Sequence, residues 1–149
     1  MTLYTQSEYS GECGNISLHN ALVLQRVPVT LKAVRKATGK GDIAAAINGI
    51  DDYILIKAAK AFDVNVEIYD GVTYLGMMRQ LNRYISSGYT CIISTRDAEH
   101  WAVIHAKSTH GYMTLDSSRD DVIKYLSPSQ TKRWINACGT FYFIAIRKK

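Results

Sequence analysis

The apolar pattern of the chain changes about halfway, from helical to extended, and this order constrains the fold more than any other feature. We predict helices over 12–25, 31–38, 42–49, 50–62, 72–87 and 128–137, and strands over 64–70, 89–95, 100–107, 111–116 and 140–146. A run of helices followed by a run of strands favours an α+β architecture in which the helices pack on an antiparallel sheet.

Local stop signals fix several of these helix ends. Thr30 can cap the helix that follows it, and Gly39 supplies the residue that commonly ends one. Ser127 followed by Pro128 is typical of a cap and a first helical turn. The absence of repeats and of Pro- or Ser-rich linkers predicts a single domain over 1–149.

Composition excludes several classes of protein. The chain of 149 residues is 47% hydrophobic and 21% charged, which is ordinary for a folded domain and rules out disorder throughout. Its net charge of +5 could attract nucleic acid or an acidic partner. However, the basic residues are scattered, with no basic stripe and no pattern of aromatic stacking residues, so we expect no nucleic acid partner.

The sequence contains no membrane segment and no signal peptide. No run approaches the roughly 20 apolar residues that span a bilayer, and the first residues are polar. We therefore expect a cytoplasmic protein. Three widely spaced cysteines, Cys13, Cys91 and Cys138, match neither a disulfide framework nor a zinc motif. We expect no metal and no cofactor, and at least one free thiol.

Cys13 is the first candidate for chemistry, because it lies where an irregular segment turns into a helix. The positive end of the helix and its unpaired N–H groups favour a thiolate there, and the same groups can bind an oxyanion. Gln6 lies upstream and could aim its amide at that oxyanion. Taken alone, Cys13 is equally well explained as a small buried apolar residue.

His100 and Asp116 are the second and third candidates. His100 begins an apolar strand, and Asp116 ends the next strand after a turn at His110-Gly111. In a hairpin both lie at the same end, where the carboxylate could orient the imidazole. The alternatives are a packed histidine and an aspartate that only turns the chain. His105 is expected to face the opposite side of the strand from His100.

The ordered set Gln6, Cys13, His100 and Asp116 resembles the papain-like peptidase domain that processes double-glycine leader peptides of bacteriocins. The matching motifs are Gln6, Glu12-Cys13-Gly14, Glu99-His100-Trp101-Ala102-Val103-Ile104 and Leu115-Asp116. The resemblance extends to the segments 56–71, 83–94 and 125–146, and so covers nearly the whole chain. Gln6 stands one residue farther from the cysteine than is usual in that family, and Ser117 replaces a frequent proline.

The resemblance implies a papain-like fold and a stand-alone cysteine peptidase acting on a peptide or protein. In that case Cys13 attacks an amide carbonyl, His100 moves the proton, Asp116 orients His100, and Gln6 binds the oxyanion. The same scaffold resembles glutamine deamidases and transglutaminase-like effectors, and a non-enzymatic inhibitor that keeps the fold is a further alternative. We expect His19, Asn20, Cys91 and Cys138 to be structural.

Overall fold

The computed structural model describes residues 2–4, 12–40, 50–95, 100–119, 121–137 and 141–149. The helices are α1 (Cys13–Leu24), α2 (Leu31–Thr38), α3 (Asp52–Ala59), α4 (Tyr74–Ser86) and α5 (Pro128–Asn136). The strands are β1 (Val64–Gly71), β2 (Thr90–Thr95), β3 (His100–Ser108), β4 (Gly111–Leu115), β5 (Ile123–Leu126) and β6 (Phe141–Lys148). The helix predicted over 42–49 lies outside the described residues.

The strands form one six-stranded sheet in the order β1-β6-β2-β3-β4-β5, and every neighbouring pair is antiparallel. The α+β prediction is therefore confirmed. β1 comes from the first half of the chain and pairs along its whole length with β6, from Val64 opposite Lys148 to Gly71 opposite Phe141. β6 also pairs with β2, so the last described strand lies inside the sheet.

Helices cover both faces of this sheet. On one face, buried side chains of α1, α2 and α3 pack against alternate residues of the strands, such as Ile92, Val103 and Ile144. On the other face, α4 and α5 pack against the intervening residues, such as Cys91 and Ile93. The period of two along each strand sends neighbouring side chains into opposite layers, so both layers hold apolar residues.

α1 is the central helix, because all ten residues from Cys13 to Leu22 are buried. A helix that is buried on every side belongs inside a protein rather than on its surface. Its contacts with β3 and β2 place its first residue beside the sheet. This burial brings a residue from the beginning of the chain close to the strand that begins at His100.

The predicted local signals have their expected geometry. The Thr30 hydroxyl accepts a hydrogen bond from the Ala33 N–H at 3.1 Å, and Gly39 ends α2 in the left-handed region with φ of 68°. Ser127 and Gln130 form a reciprocal capping box at α5. Gly111 begins β4 with φ of 105°, and a side chain there would collide with the Leu126 carbonyl. The turn between β3 and β4 therefore requires glycine.

Among the described residues, no helix is long and apolar enough to cross a membrane.

Candidate active site

Cys13 is the first residue of α1, and it is 8% exposed. The preceding residue, Glu12, does not cap the helix with its side chain. Its carboxylate is instead held by Arg35 of α2, whose Nε and Nη2 each lie 2.6 Å from one of its oxygens. Asn15 donates a further hydrogen bond to Glu12 at 3.2 Å. The Glu12 carboxylate is thus turned away from capping the helix end at which Cys13 lies.

His100 and Asp116 form a buried ion pair at the other side of the site. His100 Nε2 lies 2.7 Å from Asp116 Oδ1, and each side chain is 5% exposed. His100 is the first residue of β3, and Asp116 follows the last residue of β4, as the hairpin prediction requires. The structure therefore brings these two residues together.

Asp116 also stabilises the turn that follows β4. It therefore has both of the contacts considered from the sequence, one with the imidazole and one with the turn. Its Oδ1 accepts hydrogen bonds from the Ser118 hydroxyl at 2.6 Å and from the Ser118 N–H at 3.0 Å. An aspartate that accepts from the N–H two residues on is a recurrent turn arrangement. Ser118 is not among the residues predicted from the sequence, in which a serine two residues after the aspartate is the signal for this turn.

The electrostatics of the pair favour charge on both members. Burial would raise the pKa of Asp116, but hydrogen bonds from His100 and Ser118 and the charge of His100 bring it well below its usual value. Burial would lower the pKa of His100, but the hydrogen bonds and charges of Asp116 and Cys13 raise it to about 9. His100 is therefore protonated at neutral pH, and Asp116 is ionised.

Cys13 lies close enough to His100 for its thiol to raise the pKa of the imidazole. Because Nε2 of His100 is engaged by Asp116, Nδ1 is the ring nitrogen that remains for the sulfur. The three predicted residues Cys13, His100 and Asp116 thus meet at one place, although they come from a helix, a strand and a loop. The thiol and the imidazole can exchange a proton, and the carboxylate fixes the orientation of the ring.

A cavity of about 280 Å³ lies next to this site, and its lining includes Ile50, Ser94 and Trp101. Trp101 follows His100, and its indole N–H donates to the Ile50 carbonyl at 2.8 Å. Ile50 also contacts Gly14, where an added Cβ would lie 3.0 Å from the Ile50 Cβ. Trp101 therefore connects His100 to this cavity, and Ile50, which also lines it, packs on Gly14.

Other predicted residues have different places. Gln6, Glu99 and Cys138 lie outside the described residues, so the oxyanion role predicted for Gln6 stays a prediction. Cys91 is a free, fully buried thiol of β2, and burial raises its pKa far above the usual value. It lacks the exposure that a reactive thiol needs.

His105 belongs to a separate buried network. Gln25 donates to the Thr90 hydroxyl at 2.8 Å, and that hydroxyl lies 2.7 Å from His105 Nδ1. Burial lowers the pKa of His105, in agreement with a neutral ring.

His19 and Asn20 pack on the segment that precedes α1. Asn20 exchanges hydrogen bonds of 3.0 Å with the backbone N–H and carbonyl of Tyr4, and the His19 ring contacts the Tyr4 ring edge-on at 4.9 Å. Burial lowers the pKa of His19. In these contacts both residues anchor the segment around Tyr4 on α1.

Within the described part of the chain, no group of three or more His, Cys, Asp or Glu side chains is arranged to hold a metal ion.

The fold is shared with several solved structures, including the following three. A double glycine motif protease from an AMS/PCAT transporter, solved in complex with the leader peptide, is 17% identical with a TM-score of 0.71, over 99% of this chain and 91% of that one. The peptidase domain of ComA from Streptococcus, a bi-functional ABC transporter of a quorum-sensing pathway, is 13% identical with a TM-score of 0.72, over 99% and 98%.

A protein described as a C39-like peptidase from Bacillus anthracis is 12% identical with a TM-score of 0.69, over 99% of this chain and 94% of that one. No protein-family model matches the chain, and no curated protein matches it significantly. At these identities the similarity establishes the fold. The papain-like fold that the resemblance implied is therefore confirmed.

Proposed function

We propose that this protein is a cysteine-dependent hydrolase that cleaves an amide bond in a peptide or protein. The observation that carries the proposal is the buried His100 imidazole, which lies 2.7 Å from an oxygen of Asp116 and close enough to Cys13 for the thiol to raise its pKa. Such a chain of nucleophile, base and orienting carboxylate is the arrangement that acyl transfer by a thiol requires. The fold shared with three peptidase structures supports the same reaction class.

In the proposed reaction, the Cys13 thiolate attacks the carbonyl carbon, and a carbon–sulfur bond forms. The carbonyl oxygen becomes an oxyanion, for which the Cys13 N–H and the Gln6 amide are the proposed donors. His100, protonated at neutral pH, gives its proton to the leaving amine as the carbon–nitrogen bond breaks. The neutral imidazole then takes a proton from water, which hydrolyses the thioester and restores the thiolate and imidazolium.

Asp116 acts as a positioning residue in this scheme. Its hydrogen bond to Nε2 keeps Nδ1 turned toward the sulfur, and its charge stabilises the imidazolium. The cavity beside Trp101 is the proposed site for a side chain of the substrate, since Trp101, the residue that follows His100, lines it. One of the similar structures holds a leader peptide, which supports a peptide as the substrate.

The experiment is a search for new N-termini by mass spectrometry after the protein has been incubated with a cell proteome. We expect new termini with the native protein and none with Cys13→Ala, while Cys91→Ala, which removes a thiol outside the site, keeps them. Ammonia release measured on the same samples separates cleavage from deamidation of glutamine. Ammonia without new termini would support the deamidase alternative. If neither product depends on Cys13 and His100→Ala leaves the alkylation rate of Cys13 unchanged, the hydrolase proposal fails.

A further inference from the structure

A second cavity, of about 350 Å³, lies at Asp116 and is separate from the cavity beside Trp101. The loop after β4, the strand β5 and the helix α5 build it. Its polar and aromatic lining comprises Asp116, Arg119, Lys124, Gln130, Arg133 and Trp134. None of these residues except Asp116 has a part in the proposed reaction.

The lining is strongly cationic. Among the described residues it carries the positive charges of Arg119, Lys124 and Arg133 against the single carboxylate of Asp116, which His100 already neutralises. Asp121 lies close enough to Arg119 to interact with its charge, but it does not line the cavity. In the described part of the chain, none of the three cations forms an ion pair at salt-bridge distance. Such a surface attracts a negatively charged group.

Arg119 is held in a way that leaves one of its donors unused. Its Nη2 donates to the Thr114 hydroxyl at 3.0 Å, and its guanidinium carbon lies 5.9 Å from the centre of the Trp134 ring. Its Nε is buried and has no hydrogen-bond partner among the described residues. A buried donor without an acceptor destabilises the protein. An acceptor that forms a hydrogen bond with this donor would recover that cost and so favour binding. Burial lowers the pKa of Arg119, and the charges of Asp116 and Asp121 offset only part of this effect. The two carboxylates therefore stabilise the buried guanidinium charge only in part.

We propose that this cavity binds the carboxylate of an acidic residue in the peptide or protein substrate. The inference rests on the proposed hydrolase function, which brings a polypeptide to His100 and Asp116. A carboxylate matches the planar fork of an arginine with two parallel hydrogen bonds, and Arg119 and Arg133 both offer such forks. The net charge of +5 also favours an acidic partner. The acidic residue would therefore lie near the scissile bond, on the side of the site at which Asp116 stands.

The test is a fluorescence titration of the whole protein. The chain has two tryptophans, Trp101 and Trp134, and only Trp134 lines this cavity. The probes are acetyl-triglutamate amide, acetyl-triglutamine amide and inorganic phosphate. We expect a saturable change with the triglutamate peptide, no saturable change with the triglutamine peptide, and loss of the signal in Trp134→Phe.

Substitutions locate the site. Lys124 and Arg133 are exposed, so Lys124→Gln and Arg133→Gln leave the core intact. Each is expected to weaken binding of the triglutamate peptide about 10-fold, as loss of a charged hydrogen bond does. The matched control is Lys132→Gln, which removes the same charge from the same helix, where Lys132 faces Tyr74 instead of the cavity. It should change the affinity less than about 2-fold.

Each contrary outcome is distinct. Equal weakening by Lys132→Gln would mean attraction to the overall surface charge, and equal binding of the triglutamine peptide would remove any role for a carboxylate. Saturable binding of phosphate without the triglutamate peptide would make this a phosphate site and overturn the proposal. Binding is measured without turnover, and Cys13→Ala should bind normally. A protein that binds the acidic peptide but cleaves nothing therefore contradicts the hydrolase and not the site.

Discussion

Ser118 donates two hydrogen bonds to the same oxygen of Asp116 that is paired with His100. The hydroxyl lies at 2.6 Å and the N–H at 3.0 Å. Because all three donors converge on Oδ1, the carboxylate cannot rotate without losing them together. The turn after β4 therefore fixes the direction in which Asp116 meets the imidazole.

Replacing Ser118 with alanine should weaken this arrangement without removing it. The N–H bond remains, but the loss of the hydroxyl raises the pKa of Asp116 and weakens its hold on His100. We expect a decrease in kcat of about 10-fold, which corresponds to one charged hydrogen bond. Steady-state kinetics on a peptide identified by the cleavage search measures it. Ser118→Thr keeps a hydroxyl and should recover most of the rate; full activity of Ser118→Ala would show that the hydroxyl is dispensable.

Cys13 should alkylate far faster than Cys91. Cys13 lies close enough to His100 to raise the pKa of the imidazole, whereas Cys91 is fully buried and burial raises its pKa. We expect iodoacetamide to label Cys13 readily below pH 8, and His100→Ala to slow that labelling about 10-fold or more at pH 6.5. Peptide mapping by mass spectrometry identifies the labelled residue. His110→Ala is the control, since His110 is exposed in the β3–β4 turn. Equal labelling rates in all three proteins would show that His100 does not activate Cys13.

The pair of His100 and Asp116 should give stability a defined pH window. The pKa of His100 is raised from 6.5 to about 9, so its contribution is complete below pH 6.5 and is lost as the pH rises through 9. The pKa of Asp116 is lowered from 3.8, so its contribution is present above that value and is lost as the pH falls below it. The pair therefore stabilises the fold fully between about pH 4 and 6.5.

Urea unfolding at pH 5.5, 7.5 and 9.5 measures this effect. The free energy of unfolding of the native protein should decrease between pH 6.5 and 9.5, by on the order of 1–3 kcal/mol. His100→Gln should lack that decrease. It retains His19 and His105, whose lowered pKa values act in the opposite sense by costing stability as the pH falls. Parallel pH profiles for the two proteins would mean that the pair does not titrate as described.

Arg35 should be essential for the stability of the end of α1. Its guanidinium holds both oxygens of Glu12, whose side chain is 5% exposed, while that of Arg35 is 36% exposed. Arg35→Gln leaves a buried carboxylate without its cation, and we expect a loss of about 2–3 kcal/mol in the free energy of unfolding. Lys36→Gln, an exposed neighbour on α2, is the control and should change it by less than about 0.5 kcal/mol. Chemical denaturation tests both, and equal losses would refute a specific role for Arg35.

The sequence predicts those features that short segments determine. The helix between Thr30 and Gly39 has the predicted ends, because a cap and a left-handed glycine act within a few residues. The short strand β5 was missed, since three of its four residues are exposed and no alternation of apolar and polar residues marks it. The pairing of Glu12 with Arg35 joins residues 23 positions apart. This ion pair forms because α1 packs against α2. A pattern within a few residues cannot predict which helices pack together.

The interior position of β6 has a consequence for synthesis of the chain. Strand β6 (Phe141–Lys148) pairs with β1 on one side and with β2 on the other. Until β6 has been synthesised, β2 has only β3 as a neighbour. A nascent chain that already contains Cys13, His100 and Asp116 therefore still lacks an interior strand of its sheet. We expect the Cys13 thiol to become reactive only after this strand has inserted between β1 and β2.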